Sequence, residues 1–303
     1  MSHRISAIFV ASLLAAGGAV TWMGDPEHEV SMTSVGELWG DVFKDADQFG
    51  LQLTRVSASE EMALGDKMAR GIVRGTTTSP MWEVYVNAVG QSLVKHARRT
   101  DVRYQFHVID APVNNAFAQP GGQVFVYTGL LEKMRSESEL AGVLGHEIAH
   151  IDLRHCIERH QYEMKLPGGE LLKIGQSFMQ IGYAQYQEME ADKAGMRMAL
   201  AAGYDPQGTV DLFARVFRSR LGNSYPPSTP LEELARLTES MLTDYFQSHP
   251  PSPERMRRLT AQIEEYRRAH RGERHYRGVE NLRKKTARSQ REFGGEKVPV
   301  LCA

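Results

Sequence analysis

The chain has 303 residues, 42% of them hydrophobic and 24% charged, with 36 Lys and Arg set against 37 Asp and Glu. That is the composition of an ordinary globular protein, long enough for one large domain or two small ones, and it excludes a chain that is basic over its whole surface. With only 2 cysteines, Cys156 and Cys302, a disulfide-dense scaffold is excluded as well; a single bridge in an oxidising compartment and a buried Cys156 beside a free Cys302 both stay open.

In chain order, Arg4 precedes an uncharged run from Ile5 to Gly24, which Asp25, Glu27 and Glu29 close. Residues 1–24 therefore read as an export segment with Arg4 inside, either a signal peptide cleaved after Ala19 or a retained membrane anchor. Residues 25–56 read as a linker with a short helix. Ser57 and Glu60 have capping-box spacing and start a helix through Met62, Met68 and Ile72, which "GTTTSP" at 75–80 ends. A second helix, from Met81 to His96, places Trp82, Val86, Val89 and Leu93 on one apolar stripe.

"VRYQFHVID" at 102–110 alternates as a strand does, and strand character resumes after a Pro-Gly-Gly turn in "AQPGGQVFVYTG". His107, within the first strand, reads as a packed or edge residue. Ser136 and Glu139 mark the start of a helix that runs through "GVLGHEIAHIDLRHC" at 142–156. Further helices are expected at Glu170–Ala202, stopped by Gly203 and Pro206, and at Gln207–Leu221. "SHPPSPERMRRL" then leads into a last amphipathic helix carrying Met256, Leu259, Ile263 and Tyr266.

Beyond Arg271 apolar periodicity fades, and residues 272–303 are expected to be a mobile basic tail. Between Arg255 and Lys297 there are 14 Lys and Arg and 6 Glu, a net of +8, which leaves 22 basic and 31 acidic residues elsewhere. On an exported protein such a tail suits anionic lipid head groups or an acidic envelope partner, and nucleic acid is not expected.

The chemistry concentrates in the 142–156 stretch. On a helix His146 and His150 are separated by about 400° of rotation, so both imidazoles leave one face and can hold a single tetrahedral zinc ion. Glu147 lies about 100° around from His146, placed to act as general base on a water at the metal without being a ligand. A continuous helix would turn His155 to the opposite face, away from that metal, and leave Asp152 at the surface. H-E-x-x-H arises by chance in roughly 3 of a hundred chains of this composition, so a third ligand is required. "QEMEADKAG" supplies a candidate in Glu188, with Asp192 one turn later on the same face as a partner for a ligand histidine, and Glu190 turned away.

The sequence resembles the zinc metallopeptidases that include the HtpX heat-shock proteases, the CAAX-prenyl endopeptidases, the mitochondrial inner-membrane stress protease and bacterial envelope quality-control peptidases. Four ordered stretches carry the resemblance: "NAFAQPGGQVFVYTGLL" at 115–131, "ELAGVLGHEIAHIDLRH" at 139–155, "EMEADKAG" at 188–195 and "SHPPSPERMRRL" at 248–259. It covers about residues 57–265 and implies one Zn2+ per subunit on His146, His150 and Glu188, with Glu147 as base and Asp192 beside the ligands. It further implies a predominantly helical α+β zincin-like domain, at residues 57–271, with a small sheet.

In that reading Gln123, Val124, Phe125 and Val126 lie on the sheet's edge strand, where an extended substrate would add as a further strand, and Asn115 and Ala116 lie beside the cleft. His249 and Arg255 match late His and Arg positions near the metal. His249 would gate the open coordination position, and Arg255 would bind substrate carbonyls or the developing oxyanion. The implied activity is endoproteolysis of unfolded or misassembled envelope polypeptides by an exported, periplasmic enzyme. The competing reading is a non-catalytic chaperone stapled by zinc, for which Glu147 would have no use.

Overall fold

The computed structural model describes residues 56–165, 183–222, 249 and 253–299. The expected export segment and the linker up to residue 55 lie outside the described residues, as does Cys302. Helix α1 (Ala58–Arg74) starts at the Ser57 capping box: Glu60 N donates to Ser57 Oγ at 3.3 Å, and Ser57 N donates to the Glu60 carboxylate at 3.0 Å. Helix α2 (Pro80–Val94) has Pro80 in its first turn, where the missing N–H costs nothing, and buries Val86, Val89 and Leu93 as the stripe requires, with Trp82 partly covered.

Three strands follow: β1 (Gln105–Ile109), β2 (Ala116–Gln119) and β3 (Gln123–Tyr127). Their spatial order is β1-β3-β2, with β3 parallel to β1 and antiparallel to β2. This corrects the expectation that residues 123–126 form an edge strand: β3 is the central strand. Val124, Phe125 and Val126 are all fully buried, so both faces of β3 are covered, as its unbroken apolar run allows. The outer strand packed against the next long helix is β2, which begins at Ala116.

A short helix, α3 (Thr128–Lys133), leads to α4 (Glu137–Asp152), every residue of which is buried. Ser136 caps α4 by accepting from Glu139 N at 3.4 Å, but the reciprocal half of the box is not made. The Glu139 carboxylate accepts instead from Arg135 N at 2.9 Å and from Arg215 at 2.8 Å. The far end of α4 also departs from expectation. Asp152 is buried rather than exposed and accepts from the backbone N–H groups of Arg98 and Arg99, both at 2.7 Å, satisfying donors in the loop after α2.

Arg154 then takes φ +68°, and the chain turns into α5 (His155–Lys165). Next comes α6 (Gln185–Ala201). Of the helix expected from Glu170, residues 170–182 lie outside the described residues; Tyr183 and Ala184 are not helical, and the Gln187 side chain accepts from Ala184 N at 3.2 Å to cap α6. Gly203, at φ +80°, closes it as expected. Helices α4 and α6 cross at two glycines in backbone contact: a Cβ placed on Gly145 would stand 2.8 Å from the Gly195 carbonyl oxygen.

Helices α7 (Gln207–Gly222) and α8 (Pro253–Ala269) follow, the latter burying Leu259 and Ile263. The segment expected to be a mobile tail is folded. It forms β4 (Arg274–Tyr276), α9 (Val279–Lys284) and β5 (Lys297–Pro299), with β4 and β5 antiparallel. Its order comes from polar and aromatic contacts that hydrophobic periodicity does not register. Asn281 Nδ2 donates to the carbonyls of Thr286 and Arg291, both at 2.8 Å, and the Arg288 guanidinium lies 5.6 and 5.0 Å from the Tyr204 and Tyr276 ring centres.

This strap also serves the catalytic-motif helix, because Glu137 N and Ser138 N, first-turn donors without an intrahelical partner, bond to the carbonyls of Gly278 and Arg277. Among the described residues no helix is long and apolar enough to cross a membrane.

Candidate metal centre

His146 and His150 leave the same face of α4, as the four-residue spacing requires, and their Nε2 atoms stand 3.0 Å apart. Helix α6 crosses at Gly145/Gly195 and delivers Glu188, whose carboxylate lies 3.3 Å from His146 Nε2 and 3.5 Å from His150 Nε2. His249 completes the group: its Nδ1 is 3.1 Å from His146 Nε2 and 2.9 Å from Glu188 Oε1. One donor atom from each of these four residues lies within 4.8 Å of every other, and all four side chains are buried.

Two donors of a tetrahedral zinc ion are about 3.3 Å apart, given metal–nitrogen lengths near 2.0 Å. The observed separations bracket that value, so the residues fit one zinc ion. The electrostatics point the same way. Burial opposes charge on His146, but hydrogen bonds to Asp192 and Glu188 outweigh it and push its pKa up to about 10, whereas burial and the charge on His146 hold His150 well below its ordinary value. Burial would raise Glu188, yet the charges of His249 and Arg255 hold it well below the usual carboxylate range. The two carboxylates thus place negative charge beside the histidines, a charge that a cation can balance.

Glu147 is fully buried, and neither of its carboxylate oxygens has a hydrogen-bond partner among the described residues. His249 Nε2 lies 3.3 Å from Glu147 Oε1. A buried carboxylate without hydrogen bonds is costly to fold around. Asp192 Oδ1 stands 2.9 Å from His146 Nδ1, on the ring edge away from the other donors, and so fixes which nitrogen faces the metal position.

Arg255 corrects a second expectation. Its guanidinium forks onto Asp192, with Nε and Nη2 each donating at 2.8 Å, and its Nη1 lies 2.7 Å from Glu188 Oε2. It is turned toward the two carboxylates and buried, so it holds ligand and orienting groups in place rather than meeting a substrate carbonyl.

The residues assigned to substrate divide. Val124, Phe125 and Val126 belong to the core, and Gln123 is buried, donating to Asp66 at 2.9 Å and pairing with His107 at 2.8 Å, which makes His107 the packed residue it reads as. Ala116 opens the outer strand β2 and Asn115 directly precedes it; the Asn115 carbonyl accepts from Tyr127 N at 3.0 Å.

His155 corrects a third expectation, because α4 stops at Asp152 and the turn at Arg154 brings the ring back: His155 Nδ1 is 3.0 Å from His150 Nδ1. Tyr183 carried no sequence signal. It stacks on His150 with ring centres 3.8 Å apart, and its hydroxyl pairs with Cys156 Sγ at 3.2 Å. Burial pushes the Cys156 thiol up to about 12, so it packs and does not act as a nucleophile.

The model of peptidase family M48 matches residues 80–263. The chain is 31% identical over 178 residues to the beta-barrel assembly-enhancing protease of Escherichia coli K12, covering 50% of this chain and 36% of that one. It is 27% identical over 201 residues to the mitochondrial metalloendopeptidase OMA1 of Arabidopsis thaliana, covering 54% and 41%, and 30% identical over 146 residues to that of Schizosaccharomyces pombe, covering 44% and 43%. The matched region thus spans less than half the length of each of these relatives.

Proposed function

We propose that this chain, which belongs to peptidase family M48, is a zinc-dependent endopeptidase that hydrolyses unfolded or misassembled polypeptides of the cell envelope. The observation that carries the reading is the convergence of His146, His150 and Glu188 beside a buried Glu147 whose carboxylate makes no hydrogen bond among the described residues. A zinc ion held by the first three residues supplies Lewis acidity toward a water molecule and a substrate carbonyl.

Glu147 accepts the proton of the attacking water on a carboxylate oxygen and delivers it to the amide nitrogen as the C–N bond breaks. Asp192 keeps the correct His146 nitrogen directed inward, and Arg255 holds Asp192 and Glu188 together. An extended substrate has the outer strand β2, which begins at Ala116 just after Asn115, as its edge for main-chain pairing, since β3 is paired on both sides.

In the described conformation His249 fills the fourth position around the donor set and lies against Glu147. We read this as a latent state, opened when His249 leaves. The envelope substrates are supported by the printed name of the Escherichia coli relative, and an exported, periplasmic location by Arg4 and the uncharged run from Ile5 to Gly24.

A second reading is favoured by the four-donor geometry, which is that of a structural zinc site, and would make the protein a zinc-stapled chaperone without activity. Cleavage of casein by wild type and by Glu147→Gln, with zinc bound in both, separates the two. The substitution is expected to lower the rate about 10²- to 10⁴-fold, the contribution of a general base. Equal rates would refute the protease reading.

A further inference from the structure

Helix geometry sets His155 and Glu190 aside, and the fold brings both toward the metal centre. His155 Nδ1 is 3.0 Å from His150 Nδ1, and His155 Nε2 is 3.4 Å from Glu190 Oε2. His155 is buried, whereas the Glu190 side chain is 56% exposed. His150 turns its other nitrogen, Nε2, toward His146 and Glu188.

We infer that His155 and Glu190 form a hydrogen-bonded relay that orients His150 as a metal ligand, a role that rests on the zinc site proposed above. Hydrogen positions along the chain follow from a single requirement. If His150 Nε2 carries its lone pair to the metal, His150 Nδ1 bears the hydrogen and donates it to His155 Nδ1. A neutral His155 then bears its hydrogen on Nε2 and donates it to the Glu190 carboxylate. Each ring is thereby fixed in one tautomer, no proton is transferred, and a negative charge at the far end favours that direction of donation.

The two ligand histidines are thus oriented by different means. His146 meets the Asp192 carboxylate directly at 2.9 Å, while His150 reaches one through a second imidazole. The arrangement has a geometric cause: α4 ends at Asp152, and the turn at Arg154 places the first residue of α5 beside His150 Nδ1. Tyr183 stacked on the ring at 3.8 Å blocks rotation about the remaining axis. His155 and Glu190 are positioning residues, and neither donates to the metal.

The test is zinc affinity of the full chain, measured by competition with a chromophoric chelator, together with the visible spectrum of the Co2+-substituted protein. His155→Ala is expected to weaken zinc binding about 10- to 100-fold, the usual cost of losing such a partner. His155→Asn, whose carbonyl can take the place of Nδ1 as acceptor, is expected to recover most of that loss and a near wild-type Co2+ spectrum. Glu190→Gln, at a half-exposed position that does not threaten folding, is expected to weaken zinc binding by about threefold, less than the loss at the imidazole it supports.

Zinc affinity within twofold of wild type in both His155→Ala and Glu190→Gln overturns the relay. So does an Asn variant as weak as the Ala variant, which would mean that the imidazole serves by filling space. A wild-type chain that binds no zinc overturns the metal-site reading instead, so the two failures are distinct.

Discussion

Replacing Gly145 with Ala tests whether the backbone contact between α4 and α6 sets the geometry of the metal centre. The new Cβ would stand 2.8 Å from the Gly195 carbonyl oxygen and 3.3 Å from its carbonyl carbon, where ordinary contact begins at 3.4 Å. These are backbone atoms of a packed helix, so no side chain can rotate aside, and the helices must part by the missing 0.6 Å or so, which is the gap between 2.8 and 3.4 Å. Gly145 precedes His146 on α4, and Gly195 lies less than one turn beyond Asp192 on α6, so that displacement opens the 2.9 to 3.5 Å separations among the donors.

Overpacking of this kind costs about 1–3 kcal/mol, and at about 2–4 °C per kcal/mol for a domain of this size the melting temperature should fall by roughly 2–12 °C. Because a shift approaching 1 Å at a catalytic centre costs up to about 100-fold, casein cleavage should fall by at least about tenfold. Gly71→Ala is the matched control: it is an exposed position of α1 with nothing within 4 Å of the new Cβ, and should be neutral or stabilising by about 0.5–1 kcal/mol. Thermal melts and chelator competition read both variants. A Gly145→Ala protein that melts, binds zinc and cleaves like wild type would show that the glycine crossing does not set the site.

Three further outcomes are expected. His249→Ala should raise casein cleavage several-fold at saturating zinc while weakening zinc affinity, because it removes both the blocking ring and a donor; unchanged cleavage excludes the gate. Arg288→Ala should lower stability by about 1–3 kcal/mol by denuding the Ala202 carbonyl it meets at 2.6 Å and the two tyrosine faces it covers. Arg283→Ala, whose side chain is 67% exposed, should stay within about 0.5 kcal/mol, and equal losses in urea melts would deny the strap its role. Free zinc at 100 times its Kd should stabilise the chain by about 2.7 kcal/mol, a gain abolished by EDTA and retained in Glu147→Gln, since Glu147 is not a donor; melts with and without chelator decide it.

Much of the site is local enough to be legible. The pairing of His146 with His150 and of Glu188 with Asp192 depends only on the helical repeat, and the Ser57 cap on a three-residue spacing. The apolar stripe of α2 is likewise periodic, and its Val86, Val89 and Leu93 are buried as a stripe predicts. The misreadings lie where the chain turns or a distant segment arrives. His155 is misplaced by continuing a helix past its true end, since the positive φ of Arg154 that turns the chain has no glycine to announce it, whereas Asp152 stands on the helix but is covered by the loop after α2. Arg255 resembles a substrate-binding cation until its partners, more than sixty residues earlier in the chain, are brought alongside.

What the sequence by itself determined was therefore the metal chemistry and the helices that carry it, because residues three and four apart on a helix are neighbours whatever surrounds them. The tertiary structure alone decided the central place of β3, the meeting of His249 with Glu147, the return of His155 to His150 and the folding of residues 274–299 onto the start of α4. Each of these depends on where an element stops or on contacts between distant segments, and hydrogen bonds and ring contacts of that kind leave no period in the chain.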